Sequence, residues 1–139
     1  VGAFDGEEYS NSLTLELRHN WTGILVEAAP ASFASLKAKY RHAYVLNACL
    51  SNVTVPTSRL IYGGNEMDPG ISLKPNRQQK QAFNVTCVPI RAVLDAVGWY
   101  EFDLMTIDVE GHEPSILASF DWPKMRMPLL QIECNPCIR

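Results

Sequence analysis

Short apolar runs alternate with helical patterns along this chain, and this alternation limits the possible folds more than any other feature. The strand candidates are the apolar runs at residues 23–27, 43–50, 59–62, 83–88, 102–107 and 127–132. Apolar residues at helical spacing follow three of these runs, at residues 33–40, 90–97 and 114–120. Strands that alternate with helices need crossover connections, so the sequence predicts an α/β fold with a mostly parallel sheet.

Three segments are harder to assign. Residues 9–17 fit helical spacing, yet residues 13–17 also alternate like a strand, and both interpretations stay open. Residues 59–62 and 83–88 are candidates for a hairpin. Between them, residues 63–81 are polar and rich in Gly, Pro and Asn, which predicts a functional or mobile loop.

Acidic residues stand at the ends of three predicted strands. Glu27 and Glu133 end their apolar runs, and Asp108 and Glu110 follow residue 107 directly. In parallel sheets ligands bind beyond the carboxyl ends of the strands. Because buried carboxylates without partners are costly, we expect a ligand or hydrogen-bond donors at this edge of the sheet.

The first six residues, VGAFDG, place Gly2 and Gly6 before a predicted helix, and Glu27 follows about 20 residues beyond them. This spacing is typical of a glycine loop and an acid that grip a nucleoside ribose. The Gly-x-Gly-x-x-Gly pattern of dinucleotide sites is absent, and the nearby acids would repel a pyrophosphate. S-adenosylmethionine, with its sulfonium and ammonium, fits better than NAD. A plain turn with a solvated acid remains the alternative.

Three motifs in order, VGAFDG, GILVEAAP and FDLMTIDVEGHE, resemble the FkbM-type family of S-adenosylmethionine-dependent methyltransferases. The segments SNSLTLE, WTGILVEAAP and NACLS are similar to the Star-like branch of animal proteins, whose domain lies on the luminal side of a single-pass membrane protein. The chain departs from the family at Phe4, where Asn is frequent, and at His112, where a small residue is usual.

The resemblance implies a Rossmann-like class I methyltransferase fold over one domain, residues 1–139, incomplete at both ends and without its first and last strands. It also implies S-adenosylmethionine as the cofactor. The cofactor-binding residues predicted on this basis are Gly2, Ala3, Asp5, Gly6, Glu27, Ala28 and Asp108.

The motif DVEGHE carries the predicted catalytic residues, Asp108, Glu110, His112 and Glu113. A substrate hydroxyl would attack the methyl group while a base takes its proton, and we expect Asp108 to lie nearest the reaction. His112 is an alternative base or a surface residue. Glu113 either takes part in catalysis or complements the helix dipole. The spacing permits an oxygen-ligated Mg²⁺ at Asp108, Glu133 and Asn135, but we predict no metal.

Two features indicate the secretory lumen. Asn20, Asn52 and Asn84 each begin an N-glycosylation triplet. The four cysteines are even in number, and Cys49 and Cys87 can pair if their strands are neighbours. Cys134 and Cys137 are expected in a structural disulfide or as part of a longer cysteine-bearing region. Chance triplets and free thiols in a cytoplasmic protein are the alternative.

The sequence thus predicts an S-adenosylmethionine-dependent O-methyltransferase acting on a small-molecule or glycan hydroxyl, in the endoplasmic reticulum or Golgi lumen or on the extracellular face. The alternative is a non-catalytic luminal module for secretory trafficking or cargo export, with a luminal protein as its partner. A net charge of −3 with scattered Lys and Arg argues against nucleic acid. No apolar run approaches the roughly 20 residues of a membrane span, so we expect a membrane link only through an anchor outside these residues.

Overall fold

The computed structural model describes residues 1–63, 71–72 and 81–133. These residues form four α-helices, eight short strands and one turn of 3-10 helix at Trp122–Lys124. In chain order the elements are α1 (Leu13–His19), β1 (Ile24–Glu27), α2 (Pro30–Ala38), β2 (Tyr44–Asn47), β3 (Cys49–Leu50), β4 (Thr57–Gly63), β5 (Ile71–Ser72), β6 (Gln81–Val88), α3 (Ile90–Val97), β7 (Leu104–Ile107), α4 (Glu113–Leu117) and β8 (Leu129–Ile132).

The described strands form three hydrogen-bonded groups. β1 pairs with β2 and β7 pairs with β8, both in parallel. The third group has the order β3-β6-β4-β5, in which β3 and β6 are parallel and the other pairs antiparallel. The expectation of one mostly parallel sheet is therefore met only in part. The predicted strand at 43–50 divides at Ala48, so its first half pairs with β1 and its second half with β6.

The first residues of the chain lie between the two parallel pairs. The backbone nitrogen of Val1 donates to the carbonyl oxygen of Thr106 at 2.7 Å, and the Asp108 amide donates back to the Val1 carbonyl at 3.1 Å. On the other side, the Gly2 amide donates to the Val26 carbonyl at 3.0 Å. Val1 thus bonds to Thr106 and to Asp108, the residues on either side of Ile107, and this is the hydrogen-bond pattern of two parallel strands. Residues 1–3 thus connect β1 to β7.

The larger apolar core lies around β1, β7 and the two helices that follow β6 and β7. Val26, Leu94, Ile107 and Ile116 are among its most buried members. A smaller cluster surrounds the disulfide between Cys49 and Cys87, which are register partners on β3 and β6. These two strands are neighbours, as the pairing expected from the sequence requires.

The helices mostly follow the sequence pattern. The open segment at 9–17 contains helix α1, which Asn20 ends in a left-handed conformation. Helix α3 covers Ile90–Val97, as predicted, and Gly98 ends it with φ at +71°. Pro114 stands in the first turn of α4. None of the described helices is long and apolar enough to cross a membrane.

Several expectations fall outside the described residues. They concern most of the predicted loop at 63–81, the ligand candidate Asn135, and the pair Cys134 and Cys137.

Gly2 lies where the chain passes closest to β7, and this contact generates a stability prediction. A Cβ at Gly2 would overlap the carbonyl oxygen of Asp108, and its φ of +76° is unfavourable for other residues. Gly2→Ala should lower the free energy of unfolding by about 3 kcal/mol, from backbone strain and overpacking together. Chemical denaturation measures this loss.

Gly111→Ala is the matched control. Gly111 has φ at +97°, and a Cβ there meets no heavy atom of the described residues within 4 Å. We expect it to lose about 1 kcal/mol through backbone strain alone. Equal losses for the two variants would contradict the close contact between Gly2 and Asp108.

Candidate functional site

One cavity of about 760 Å³ brings together residues from the glycine loop, the end of β1 and the end of β7. Both Glu27 and Asp108 line it, so the two acids that the sequence placed at one edge face the same space. The predicted cofactor-binding residues along its wall are Gly2, Ala3, Glu27, Ala28 and Asp108. Asp5 and Gly6 are not among the lining residues.

Glu27 ties the glycine loop to the end of β1. Its carboxylate is buried, with the residue 7% exposed. One oxygen accepts the backbone amide of Phe4 and the other accepts that of Ala29, both at 2.8 Å. Burial raises the pKa of Glu27, and these two amides, which favour the charged form, offset part of that effect. The hydrogen-bond donors expected near a buried acid are therefore backbone amides.

The glycine loop owes its shape to residues that do not line the cavity. Asp5 accepts the amides of Glu7 and Glu8 at 2.9 and 2.8 Å, which closes a local turn. Burial works to raise the pKa of Asp5, but these amides and the nearby Lys39 ammonium outweigh it and hold the pKa below its usual range. Gly6 packs against Leu36 with φ at +82°, where a side chain would overlap the leucine.

Phe4 takes a left-handed conformation, with φ at +49°. Asn tolerates this region better than bulky residues do. Phe4 is therefore more strained here than the Asn that the resemblance implies at this place.

The loop after β7 is held by Glu113. Its carboxylate accepts the amide of Val109 at 2.9 Å and that of Gly111 at 3.2 Å, and the residue is buried. Glu110 and Gly111 both have positive φ, so the chain turns sharply here. Glu113 is not among the residues that line the cavity. These contacts give Glu113 a structural role. That role is closer to the alternative in which Glu113 complements the helix dipole than to a part in catalysis.

Three carboxylates meet beyond the ends of β7 and β8. One oxygen of each of Asp108, Glu110 and Glu133 lies within 4.8 Å of the others. Glu133 reaches this place because its amide donates to the carbonyl of Ile107 at 2.9 Å. Loss of solvation and the charge of Asp108, with smaller effects from Glu110 and Glu113, raise the pKa of Glu133 to about 7.

One oxygen of Glu133, Oε2, is buried and has no hydrogen-bond partner among residues 1–63, 71–72 and 81–133. Of the three residues whose spacing permits Mg²⁺, Asp108 and Glu133 come together. The expectation that the site holds no metal stays a prediction.

His112 lines the same cavity and is joined to two serines that the sequence gave no reason to select. Its Nε2 lies 3.1 Å from the hydroxyl of Ser51, which in turn lies 3.2 Å from the hydroxyl of Ser115. The amide of Asn52 donates to the Ser115 hydroxyl at 3.2 Å. Ser51 follows β3 and Ser115 lies in α4. No motif links residues so far apart in the chain.

The three predicted glycosylation residues are exposed. Asn20 ends α1, Asn52 follows β3, and Asn84 lies on the exposed face of β6 beside the buried Val85. None of the three is among the residues that line the cavity.

Comparison with known proteins gives one match. The sequence profile of the methyltransferase FkbM domain family matches residues 1–137, which is nearly the whole chain. No curated protein and no solved structure matches. The match is to the family as a whole, so the similarity to the Star-like branch stays a prediction.

The raised pKa of Glu133 generates a prediction about stability and pH. The folded chain holds this proton up to about pH 7, whereas the unfolded chain releases it near 4.5. The folded state therefore binds more protons between these values, and the contribution of Glu133 to stability falls as the pH rises through them. Glu133→Gln should remove this fall, which denaturation at pH 5 and pH 8 measures.

The control is Glu101→Gln, because Glu101 is exposed and outside the cluster. We expect this variant to keep the pH dependence of the wild type. If Glu133→Gln and the wild type lose the same stability between the two pH values, the carboxylate cluster does not raise the pKa of Glu133.

Proposed function

We propose that this chain, which belongs to the methyltransferase FkbM domain family, binds S-adenosylmethionine in the cavity between Glu27 and Asp108 and methylates a hydroxyl group. The observation that carries the proposal is the shared cavity. Residues from all three family motifs line it, namely Gly2 and Ala3 of the glycine loop, Glu27 at the end of β1, and Asp108 and Glu110 after β7.

The contacts of Glu27 leave it able to hold a ribose. Each of its oxygens accepts one backbone amide, from Phe4 or from Ala29. A carboxylate oxygen has roughly two acceptor sites, so each oxygen keeps one for a ribose hydroxyl. The two amides also fix the carboxylate in place before a ligand arrives, which lowers the entropic cost of binding.

The charges around the cavity suit a cationic ligand. Glu8, Glu27, Asp108 and Glu110 line it, and the lining Arg41 is paired with Glu16 at 2.8 Å. Such a wall attracts a sulfonium and an ammonium, and it repels a pyrophosphate. The volume of about 760 Å³ lies within the usual range for cofactor sites, about 300–1,000 Å³. The carboxylates that line the cavity therefore fit S-adenosylmethionine better than a dinucleotide.

When bound, S-adenosylmethionine supplies a methyl group on a sulfonium, so that the acceptor oxygen gains the carbon while the carbon–sulfur electron pair returns to sulfur. The chain must then hold the acceptor and take up its proton. Asp108, at the end of β7, accepts a hydrogen bond from a hydroxyl of the acceptor and orients the acceptor. The proton on Glu133 reduces the repulsion that Asp108 would otherwise meet from a second negative charge. Positioning supplies much of the rate, because the sulfonium is already activated.

Calorimetric titration with S-adenosylmethionine tests the cofactor assignment. Glu27→Gln removes the charge but retains one carbonyl acceptor for the glycine loop. Because hydrogen bonds to charged groups contribute about 1.5–3 kcal/mol, the variant should bind roughly 10- to 100-fold more weakly.

Glu8→Gln is the matched control, since Glu8 lines the same cavity but is exposed. It should lose little affinity, because its charge is screened by solvent. No binding by the wild type would overturn the proposal. Equal losses of affinity in the two variants would mean that Glu27 contributes only its negative charge, and no hydrogen bond to the ribose.

A second candidate function rests on the surface and the disulfide. The Cys49–Cys87 disulfide and the exposed Asn20, Asn52 and Asn84 suit a protein of the secretory lumen, where disulfides persist. The same fold would serve there as a non-catalytic Star-like module that binds a luminal protein cargo. Binding of a protein partner with no binding of S-adenosylmethionine would favour this second function.

The luminal location has a direct test. Expressed through a secretory pathway, the chain should lose mass on enzymatic deglycosylation, because all three acceptor asparagines are exposed. Replacing Asn20, Asn52 and Asn84 singly with Gln should remove one glycan each, which mass spectrometry of the intact chain counts. An unchanged mass in the secreted wild type would contradict a glycosylated luminal domain.

A further inference from the structure

The hydroxyls of Ser51 and Ser115 form a short hydrogen-bonded chain that ends on the ring of His112. The distances are 3.1 Å from His112 Nε2 to Ser51 Oγ and 3.2 Å from Ser51 Oγ to Ser115 Oγ. Ser51 is buried, at 8% exposure, and it does not line the cavity. His112 does line the cavity, so the chain leads from the cavity wall to the buried Ser51 and the half-buried Ser115.

This chain can run in two directions. In one, Nε2–H of His112 donates to Ser51, and Ser51 donates to Ser115. In the other, Ser115 donates to Ser51, and Ser51 donates to an unprotonated Nε2. Both leave Ser115 able to accept the Asn52 amide. Only the first direction survives when the ring is positively charged, because both ring nitrogens are then donors.

Counting unpaired donors does not separate the two directions. Among the described residues, the second leaves an Nδ1 hydrogen without an acceptor, and the first leaves the Ser115 hydroxyl hydrogen without one. The first direction is the one that a base requires, because it persists when the ring takes up a proton. In the first direction Nδ1 presents a lone pair, to which a substrate hydroxyl can donate.

We infer that Ser51, backed by Ser115, is a positioning residue that keeps Nε2 of His112 protonated and so makes Nδ1 the atom that accepts the proton of the acceptor hydroxyl. This inference deepens the proposed function and rests on it. The hydroxyl proton passes to Nδ1 as the oxygen gains its methyl group, and the resulting imidazolium returns the proton to solvent. The single hydrogen of the reacting hydroxyl points at Nδ1 of His112, so Asp108 orients the acceptor through a neighbouring hydroxyl.

The environment of His112 suits a base near neutral pH. Burial lowers its pKa from the usual 6.5, the charge of Arg59 on β4 acts in the same direction, and Glu113 in α4 opposes both. The ring is therefore neutral at pH 7 and free to accept a proton. The rate of transfer should rise with pH through this lowered pKa and then stay constant.

Nuclear magnetic resonance of the chain with ¹⁵N-labelled histidine tests the tautomer without any turnover. His112→Gln identifies the His112 signals among the three histidines. The wild type should show the tautomer protonated at Nε2. Ser51→Ala should shift the ring toward Nδ1 protonation and lower its pKa further, because the hydrogen bond to Ser51 is strongest for the charged ring. Ser51→Thr, which keeps a hydroxyl, should restore both properties.

The matched control is Ser119→Ala, since the Ser119 hydroxyl donates to the Ile116 carbonyl near the end of α4 and does not contact His112. It should leave the His112 signals unchanged. A wild-type ring protonated at Nδ1, or a ring whose tautomer does not respond to Ser51→Ala, would overturn the inference.

A rate measurement separates this inference from the proposed function. Methyl transfer from S-adenosylmethionine to simple alkyl glycosides is followed with each variant. Ser51→Ala should lower kcat about 10-fold and move the pH midpoint down, and His112→Gln should lower kcat about 100-fold. Ser51→Ala should leave the affinity for S-adenosylhomocysteine unchanged, because Ser51 does not line the cavity. No binding and no transfer by the wild type defeats the proposed function. Transfer that is unchanged in His112→Gln defeats the inference alone.

Discussion

The backbone hydrogen bonds of residues 1–3 are the interaction on which the site depends. Through Val1 they hold the end of β7, and through Gly2 they hold the end of β1. The two parallel strand pairs have no other described strand between them. Because these bonds set the two pairs side by side, Glu27 and Asp108 reach one cavity. The glycine at position 2 is essential to this arrangement, since any side chain there would overlap Asp108.

Several acids line the cavity or lie beside it, and they are stabilised in two ways. Glu27 and Glu113 are buried, and each accepts two backbone amides, which replace the lost water. Glu133 keeps a proton to about pH 7, so it adds little negative charge beside Asp108 in acidic solution. The result is a cavity with a negative wall that is already hydrogen-bonded. A wall of this kind would need little rearrangement to bind the cationic cofactor that we propose.

Part of the fold and part of the site were predictable from local patterns. Helix α3 was predicted at its observed bounds, because apolar spacing and a terminal glycine act within one element. The position of Glu27 and Asp108 at strand ends was equally local. The separate sheets were not predictable, since the run at 43–50 looks like one strand and only its partners divide it. The link between Ser51 and His112 joins residues from two elements, and no spacing rule predicts it.

The sequence by itself determined the family, the alternation of strands with helices, and which acids follow strands. These depend on residue type and order, which a linear pattern retains. Only the tertiary structure decided that Glu113 holds the loop after β7 and that Asp5 and Gly6 shape the glycine loop from outside the cavity. It also decided that the His112 ring hydrogen-bonds to Ser51. Each of these roles depends on which atoms meet across the fold, and pairing between distant segments is set by packing that no local stretch encodes.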